Sequence, residues 1–130
     1  MIFYRRYFVT EDSFMKRDAQ CLESIIEYCG EIAEAITRFG SDEEDFLEDV
    51  LFQNSCAFAL IQIGEKVKRL SVETIVRYSA VEWKDIAKYR DMLSHNYDKM
   101  NMHVVWGTIS KEVPILRGEC EQILKELRSV

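Results

Sequence analysis

An arginine, a histidine and a tyrosine stand at Arg90, His95 and Tyr97, separated first by four residues and then by one. Together they offer a permanent cation, a group that exchanges protons near neutral pH, and an aromatic hydroxyl. A guanidinium clamps phosphate through paired N–H donors, and an imidazole serves as general acid or base. The set therefore suits chemistry on a phosphate ester. Asp91 precedes His95 by one helical turn, at the i, i+4 spacing from which a carboxylate can orient an imidazole and raise its affinity for a proton.

These residues sit in a segment that otherwise reads as an amphipathic helix. Trp83, Ile86, Ala87 and Leu93 recur at the three-and-four spacing of one face. Arg90 falls on that stripe, where an apolar residue is due, and Tyr97 lies on the same face seven residues later. A cation on an apolar face is costly unless it meets an anion. The plainer reading makes Arg90 a core-edge residue paired to Glu65, His95 a cation favoured by a helix C-terminus, and Tyr97 ordinary packing. On a helix Arg90 and His95 are about 140° apart around the axis. One helix cannot easily aim both at one small group, whereas two copies facing each other across a two-fold axis could. The geometry predicts a homodimer with a composite site.

The elements that must position these residues are helices. Leu22, Ile25, Ile26, Cys29, Ile32, Ala33, Ile36 and Phe39 predict a first helix from about Met15 to Phe39, ended by Gly40. Ser41 with Glu44 reads as a capping box opening a second helix that carries Phe46 to Leu70, with a bend near Asn54. Gly64 lies inside it, where glycine costs about 1 kcal/mol against alanine, and close approach by another helix would explain it. Ser71 caps a short helix to Tyr78, and Ser79 with Glu82 reads as a further capping box ahead of the motif helix. Tyr97 to Asn101 is a turn. From Met102 to Leu127 the apolar stripe resumes, with Pro114 predicting a kink or restart. With five Gly and one Pro in 130 residues, sheets joined by tight turns are disfavoured. The expected fold is all-α: an antiparallel bundle of about five helices, in a dimeric domain spanning 15–130.

The net charge is −6, which weighs against a generic nucleic-acid binder. It is uneven. Glu31 to Asp49 carries −7, whereas Glu65 to Arg90 carries +3, so the approach to Arg90 can steer an anion. Cys21, Cys29, Cys56 and Cys120 form no CxxC pair and read as reduced core thiols of a cytoplasmic protein. No apolar run approaches the ~20 residues that span a bilayer, so no membrane association is expected. The acidic run Asp42 to Asp49 reads as a solvated first turn rather than a metal site, and His103 as a surface or packing histidine. Neither metal nor cofactor is expected. Trp83 and Trp106 lie on apolar stripes and read as core.

The spacing Arg90, four residues, His95, one residue, Tyr97 resembles the R-x4-H-x-Y motif of HepT-like proteins in the HEPN superfamily. Ile63-Gly64-Glu65 resembles that family's I-G-E step on its second long helix, Trp83 the tryptophan opening the motif helix, and Val105-Trp106 and Val113-Pro114 the segments beyond it. The likeness runs from about Arg17 to Leu127. It implies an α-helical dimer whose two motifs line a shared cleft, working as a metal-independent endoribonuclease toxin. RNA supplies its own nucleophile, the 2′-hydroxyl. His95 would move protons, Arg90 would hold the phosphate, and Asp91 fills the polar position after the arginine. Glu65, after Gly64, would approach the cleft and tune His95 or pair with Arg90. The resemblance also implies a minimal nucleotidyltransferase antitoxin that transfers AMP to Tyr97, placing a bulky anion in the cleft. The alternative is a non-catalytic nucleotide- or RNA-binding partner subunit of such a transferase, which the acidic surface favours and the intact motif disfavours.

Residues 1–14 lie outside the likeness. They are aromatic and basic (Phe3, Tyr4, Arg5, Arg6, Tyr7, Phe8) and lack the apolar region of a signal peptide. They read as a dimer arm or an added RNA contact, or else as a leader ahead of a start at Met15.

Overall fold

The computed structural model describes residues 11–129, and the expectations placed on residues 1–10 lie outside it. Helix α1 spans Glu11–Phe39, α2 Glu43–Glu48, α3 Val50–Lys68, α4 Val72–Arg77 and α5 Trp83–Asn96. A 3-10 turn at Tyr97–Lys99 leads to α6, Met102–Gly107. A π-helical segment at Thr108–Glu112 then runs into α7, Val113–Arg128. Among the described residues the chain is helical throughout, with no strand.

Helices α1, α3, α5 and α7 form the bundle, and the shorter ones link them. Helix α3 packs between α1 and α5, and α7 packs on α1. All three neighbouring pairs are antiparallel. Asp18 of α1 meets Ser71 just beyond α3, while Phe39 stacks on Phe52 at the other end. Arg117 lies against Gly30 and Arg128 pairs with Glu23. The stripe Leu22, Ile25, Cys29 and Ile32 is buried, joining Phe46, Phe52, Ile63, Leu93 and Ile109 in one core. Ala33 and Phe39, counted on that stripe in the sequence, are exposed. No helix among the described residues is long and apolar enough to cross a membrane.

Local chemistry sets the element ends. Gly40, at φ +136°, ends α1 in a conformation that L side chains rarely adopt. The expected second helix is two. Asp49 closes α2, and its carboxylate accepts from the N–H groups of Leu51 (3.0 Å) and Phe52 (3.2 Å) at the start of α3. That side chain competes with the helical ladder, so the break falls at Asp49 rather than near Asn54. Gln53 donates to the Phe46 and Leu47 carbonyls at the end of α2.

Neither expected capping box forms. Helix α2 starts after Asp42 and α5 after Glu82, both without a side-chain cap. The acids Glu43, Glu44 and Asp45 instead place negative charge on the first turn of α2. At α5 the Trp83 indole N–H ties back to the Tyr78 carbonyl at 3.0 Å. Ser71 does cap α4, accepting from the Thr74 N–H. Pro114 stands in the first turn of α7, and the π segment before it absorbs the restart.

Buried between α1 and α4, Asp18 accepts from the Ser71 N–H (2.9 Å), the Ser71 hydroxyl (2.5 Å) and the Thr74 hydroxyl. This ties the chain beyond α3 to the first long helix. The four cysteines are free and buried. Burial pushes the thiols of Cys29, Cys56 and Cys120 up to about 12, which suits reduced core residues.

Candidate active site

The Trp83–Leu93 stripe packs α5 against the core, with Trp83 and Leu93 buried and Ile86 and Ala87 half-buried. Arg90 continues that face and meets α3 at Gly64. A Cβ at position 64 would overlap the Cβ and Cγ of Arg90. Glycine there is what lets the two helices close over the root of the arginine side chain.

Arg90 is held on both sides. Its Nη2 pairs with Glu65 Oε1 at 2.5 Å and its Nη1 with Asp91 Oδ1 at 3.0 Å. The side chain is only 22% exposed, and its buried Nε has no partner. The cation on the apolar stripe thus finds its anion one residue from the glycine that admits it. Asp91 Oδ1 also accepts from Lys68 Nζ at 2.5 Å. Lys68 first and Arg90 second hold the Asp91 carboxyl below its usual range. Glu65, Arg90, Asp91 and Lys68 form one charge-balanced chain across α3 and α5.

That chain corrects one expectation. Asp91 serves Lys68 and Arg90 and makes no hydrogen bond to His95 among the described residues, although the two stand one turn apart. Two cations within reach outcompete an imidazole for the same carboxylate. His95 itself is exposed at the end of α5. Tyr97, half-buried just beyond α5, donates its hydroxyl to Asn54 Oδ1 at 2.7 Å. Burial, and then the nearby Cys56, raise its pKa.

The structure therefore brings Arg90, Asp91, Glu65, Gly64 and Tyr97 to the α3–α5 seam and leaves His95 exposed in the last turn of α5. The roughly 140° between Arg90 and His95 persists as a difference in exposure: the guanidinium lies against α3, while the imidazole faces out. Two residues of the seam escaped the sequence reading, Lys68 and Asn54. Periodicity could place both beside Glu65, though not name their partners. Lys68 follows Glu65 by three residues, and Asn54 precedes it by about three turns, so all share one face of α3.

The other candidates resolve as structure. His103 is exposed and its Nδ1 lies 2.8 Å from Glu43 Oε1, a partner sixty residues away that no local spacing reveals. Asp49 is a helix cap. Trp83 is core, and Trp106 packs on Phe46 and Phe52.

Residues 25–123 match the model of the ribonuclease HepT-like family, a span that includes the whole seam. The chain belongs to this family. It is 37% identical over 112 residues to a protein of Caldanaerobacter subterraneus named as a candidate RNase, covering 86% of this chain and 98% of that one. A candidate RNase of Methanocaldococcus jannaschii is 34% identical over 113 residues, 86% of this chain and 92% of the other. A Thermococcus cleftensis protein, named as a candidate ribonuclease HepT, is 31% identical over 104 residues, 76% of this chain and 94% of its own length. No solved structure gives a significant match. Membership makes the chain a HepT-like ribonuclease.

Proposed function

We propose that this HepT-like chain is a metal-independent endoribonuclease toxin whose cleft forms between two copies. The observation that carries the reading is the splay of Arg90 and His95: one is packed on α3 beside Glu65, the other exposed beyond it. Within one chain they do not converge, but an exposed imidazole is free to meet the arginine of a second copy. Exposed apolar side chains on the same face of α3 as Asn54 and Glu65, Leu51 at 71% and Phe58 at 58%, favour such a covering copy.

In this cleft a base takes the proton of the RNA 2′-hydroxyl as its oxygen attacks the adjacent phosphorus. The bond to the 5′-oxygen then breaks, and that oxygen takes up a proton. The products are a 2′,3′-cyclic phosphate and a 5′-hydroxyl. His95 is the proton-transfer residue and Arg90 neutralises the crowded phosphate. Gly64 and Glu65 set where the guanidinium lies, and Asp91 restrains its other side.

Control falls to Tyr97. Transfer of AMP from ATP to its hydroxyl by a minimal nucleotidyltransferase antitoxin, with loss of the hydroxyl proton and release of pyrophosphate, would break the bond to Asn54 and place an anion over the seam. Intact mass after co-expression with such a transferase should rise by AMP units in the wild type and not in Tyr97→Phe.

Mixing subunits tests the composite cleft. Arg90→Ala and His95→Ala proteins should each be inactive, and co-refolded together they should regain cleavage, because one of two clefts receives both intact residues. Mixtures that stay inactive although mixed dimers form would place both groups in one chain and defeat this arrangement.

A further inference from the structure

A groove of about 800 Å³ opens between the start of α1 and the turn joining α3 to α4. Arg17, Lys66, Lys68 and Arg69 line it, and Glu73 is the single lining acid among the described residues. The carboxylate of Asp18, buried beside it, is already occupied by Ser71 and Thr74. Lys68 is already paired to Asp91, so in a protein of net charge −6 the cations this concavity offers are Arg17, Lys66 and Arg69. Burial and then Asp18 raise the pKa of the Cys21 thiol in the groove wall, and Lys66, Arg69 and Arg17, all near enough to act on it, oppose that rise.

The groove is not separate from the α3–α5 seam. Lys68 lines it and also reaches Asp91 Oδ1, the oxygen that Arg90 Nη1 shares. Lys68, paired to Asp91, therefore marks where the charge-balanced seam ends, and Lys66, Arg69 and Arg17 continue from it into the groove. The far wall carries Phe14, whose ring lies 5.6 Å from the Arg17 guanidinium. A positive channel flanked by an aromatic ring is the usual means of holding a single strand without reading its sequence.

We propose that this groove holds the phosphate backbone of the RNA strand on one side of the cut linkage, with Lys66, Arg69 and Arg17 on phosphates and Phe14 against a base. The proposal rests on the ribonuclease reading of the Arg90–His95 cleft and names the part of the chain that receives the rest of the substrate. It also accounts for an acidic protein acting on RNA. Attraction is concentrated on one track of a chain whose net charge is negative.

The test is Lys66→Ala/Arg69→Ala, which spares Lys68 and its bond to Asp91. Two substrates separate groove from cleft. A single-stranded 2′-O-methyl oligonucleotide, which cannot be cut, reports binding by fluorescence anisotropy over a range of salt. A dinucleotide, with one linkage and no flanking strand, reports the cleft alone. The double variant should bind the oligonucleotide on the order of tenfold more weakly, with a salt slope shallower by roughly 1.4, the loss of two single-strand phosphate contacts. It should cut the dinucleotide as the wild type does. Unchanged affinity and slope would overturn the groove while leaving the cleft standing. A wild type that cuts neither dinucleotide nor longer RNA would instead overturn the cleft. Lys66→Arg/Arg69→Lys keeps the charge and should keep the affinity. An equal loss in that variant would trace the effect to packing and also overturn the proposal.

Discussion

Replacing Gly64 by alanine probes the seam where fold and site coincide. The added Cβ would overlap the Cβ and Cγ of Arg90 and stand 3.5 Å from the Ile86 carbonyl oxygen. Those Arg90 atoms are anchored to the α5 backbone, so the helices must part. Overpacking costs about 1–3 kcal/mol, and backbone-anchored atoms put this case in the upper part of that range. Alanine's better helix propensity returns about 1 kcal/mol. The net loss is therefore about 1–2 kcal/mol, or a Tm lower by roughly 3–8 °C for a domain of this size. Gly118 supplies the control. It lies within α7, where a Cβ would meet nothing within 4 Å, so Gly118→Ala should stabilise by about 0.5–1 kcal/mol. Opposite signs for the same chemical change would locate the close approach at Gly64. In addition, a displaced Arg90 should lower RNA cleavage on the order of a hundredfold in the folded protein. Stabilisation of Gly64→Ala to match Gly118→Ala would refute the close approach, and cleavage at the wild-type rate would refute its link to the site.

Three further outcomes follow from the same contacts. Asp18→Ala should cost about 3 kcal/mol in urea unfolding, because it strands three buried donors of Ser71 and Thr74, and a loss under 1 kcal/mol would show that water replaces the carboxylate. Asp91 has a folded pKa below its unfolded value of about 3.9, so its stabilising contribution is present above that value and disappears as pH falls through the folded pKa; Tm-versus-pH curves of wild type and Asp91→Asn should differ near neutrality and converge in acid, and a constant offset would contradict the assignment. Cys29, Cys56 and Cys120, protonated and buried with thiols near 12, should resist a thiol-specific reagent in the native state and react after unfolding, whereas rapid native labelling would contradict the packing.

Much of this was legible in the residues. Period-3.6 apolar stripes placed the long helices, because burial of a continuous face is a regular signal. The misfit of Arg90 on its stripe and of Gly64 inside its helix were two local faults with one cause, since each explains the other once α3 and α5 are antiparallel neighbours. What stayed hidden was competition. Asp49 breaks a helix whose apolar pattern runs straight through it, and Asp91 commits its carboxylate to Lys68, a residue of another helix, rather than to the histidine one turn away. Spacing along one helix sets out the partners a side chain can reach, but only packing decides which of them takes it. The same limit hid Glu43 from His103 and Asn54 from Tyr97.

The end groups of cut RNA bear most directly on the chemistry assigned to Arg90 and His95. Purified protein, free of any transferase and held in EDTA, is incubated with RNA, and the fragments are analysed by mass. Wild type should yield 2′,3′-cyclic phosphate and 5′-hydroxyl ends, and folded Arg90→Ala and His95→Ala proteins should yield none. Cleavage that persists in both variants, or that demands a divalent cation, would contradict that chemistry.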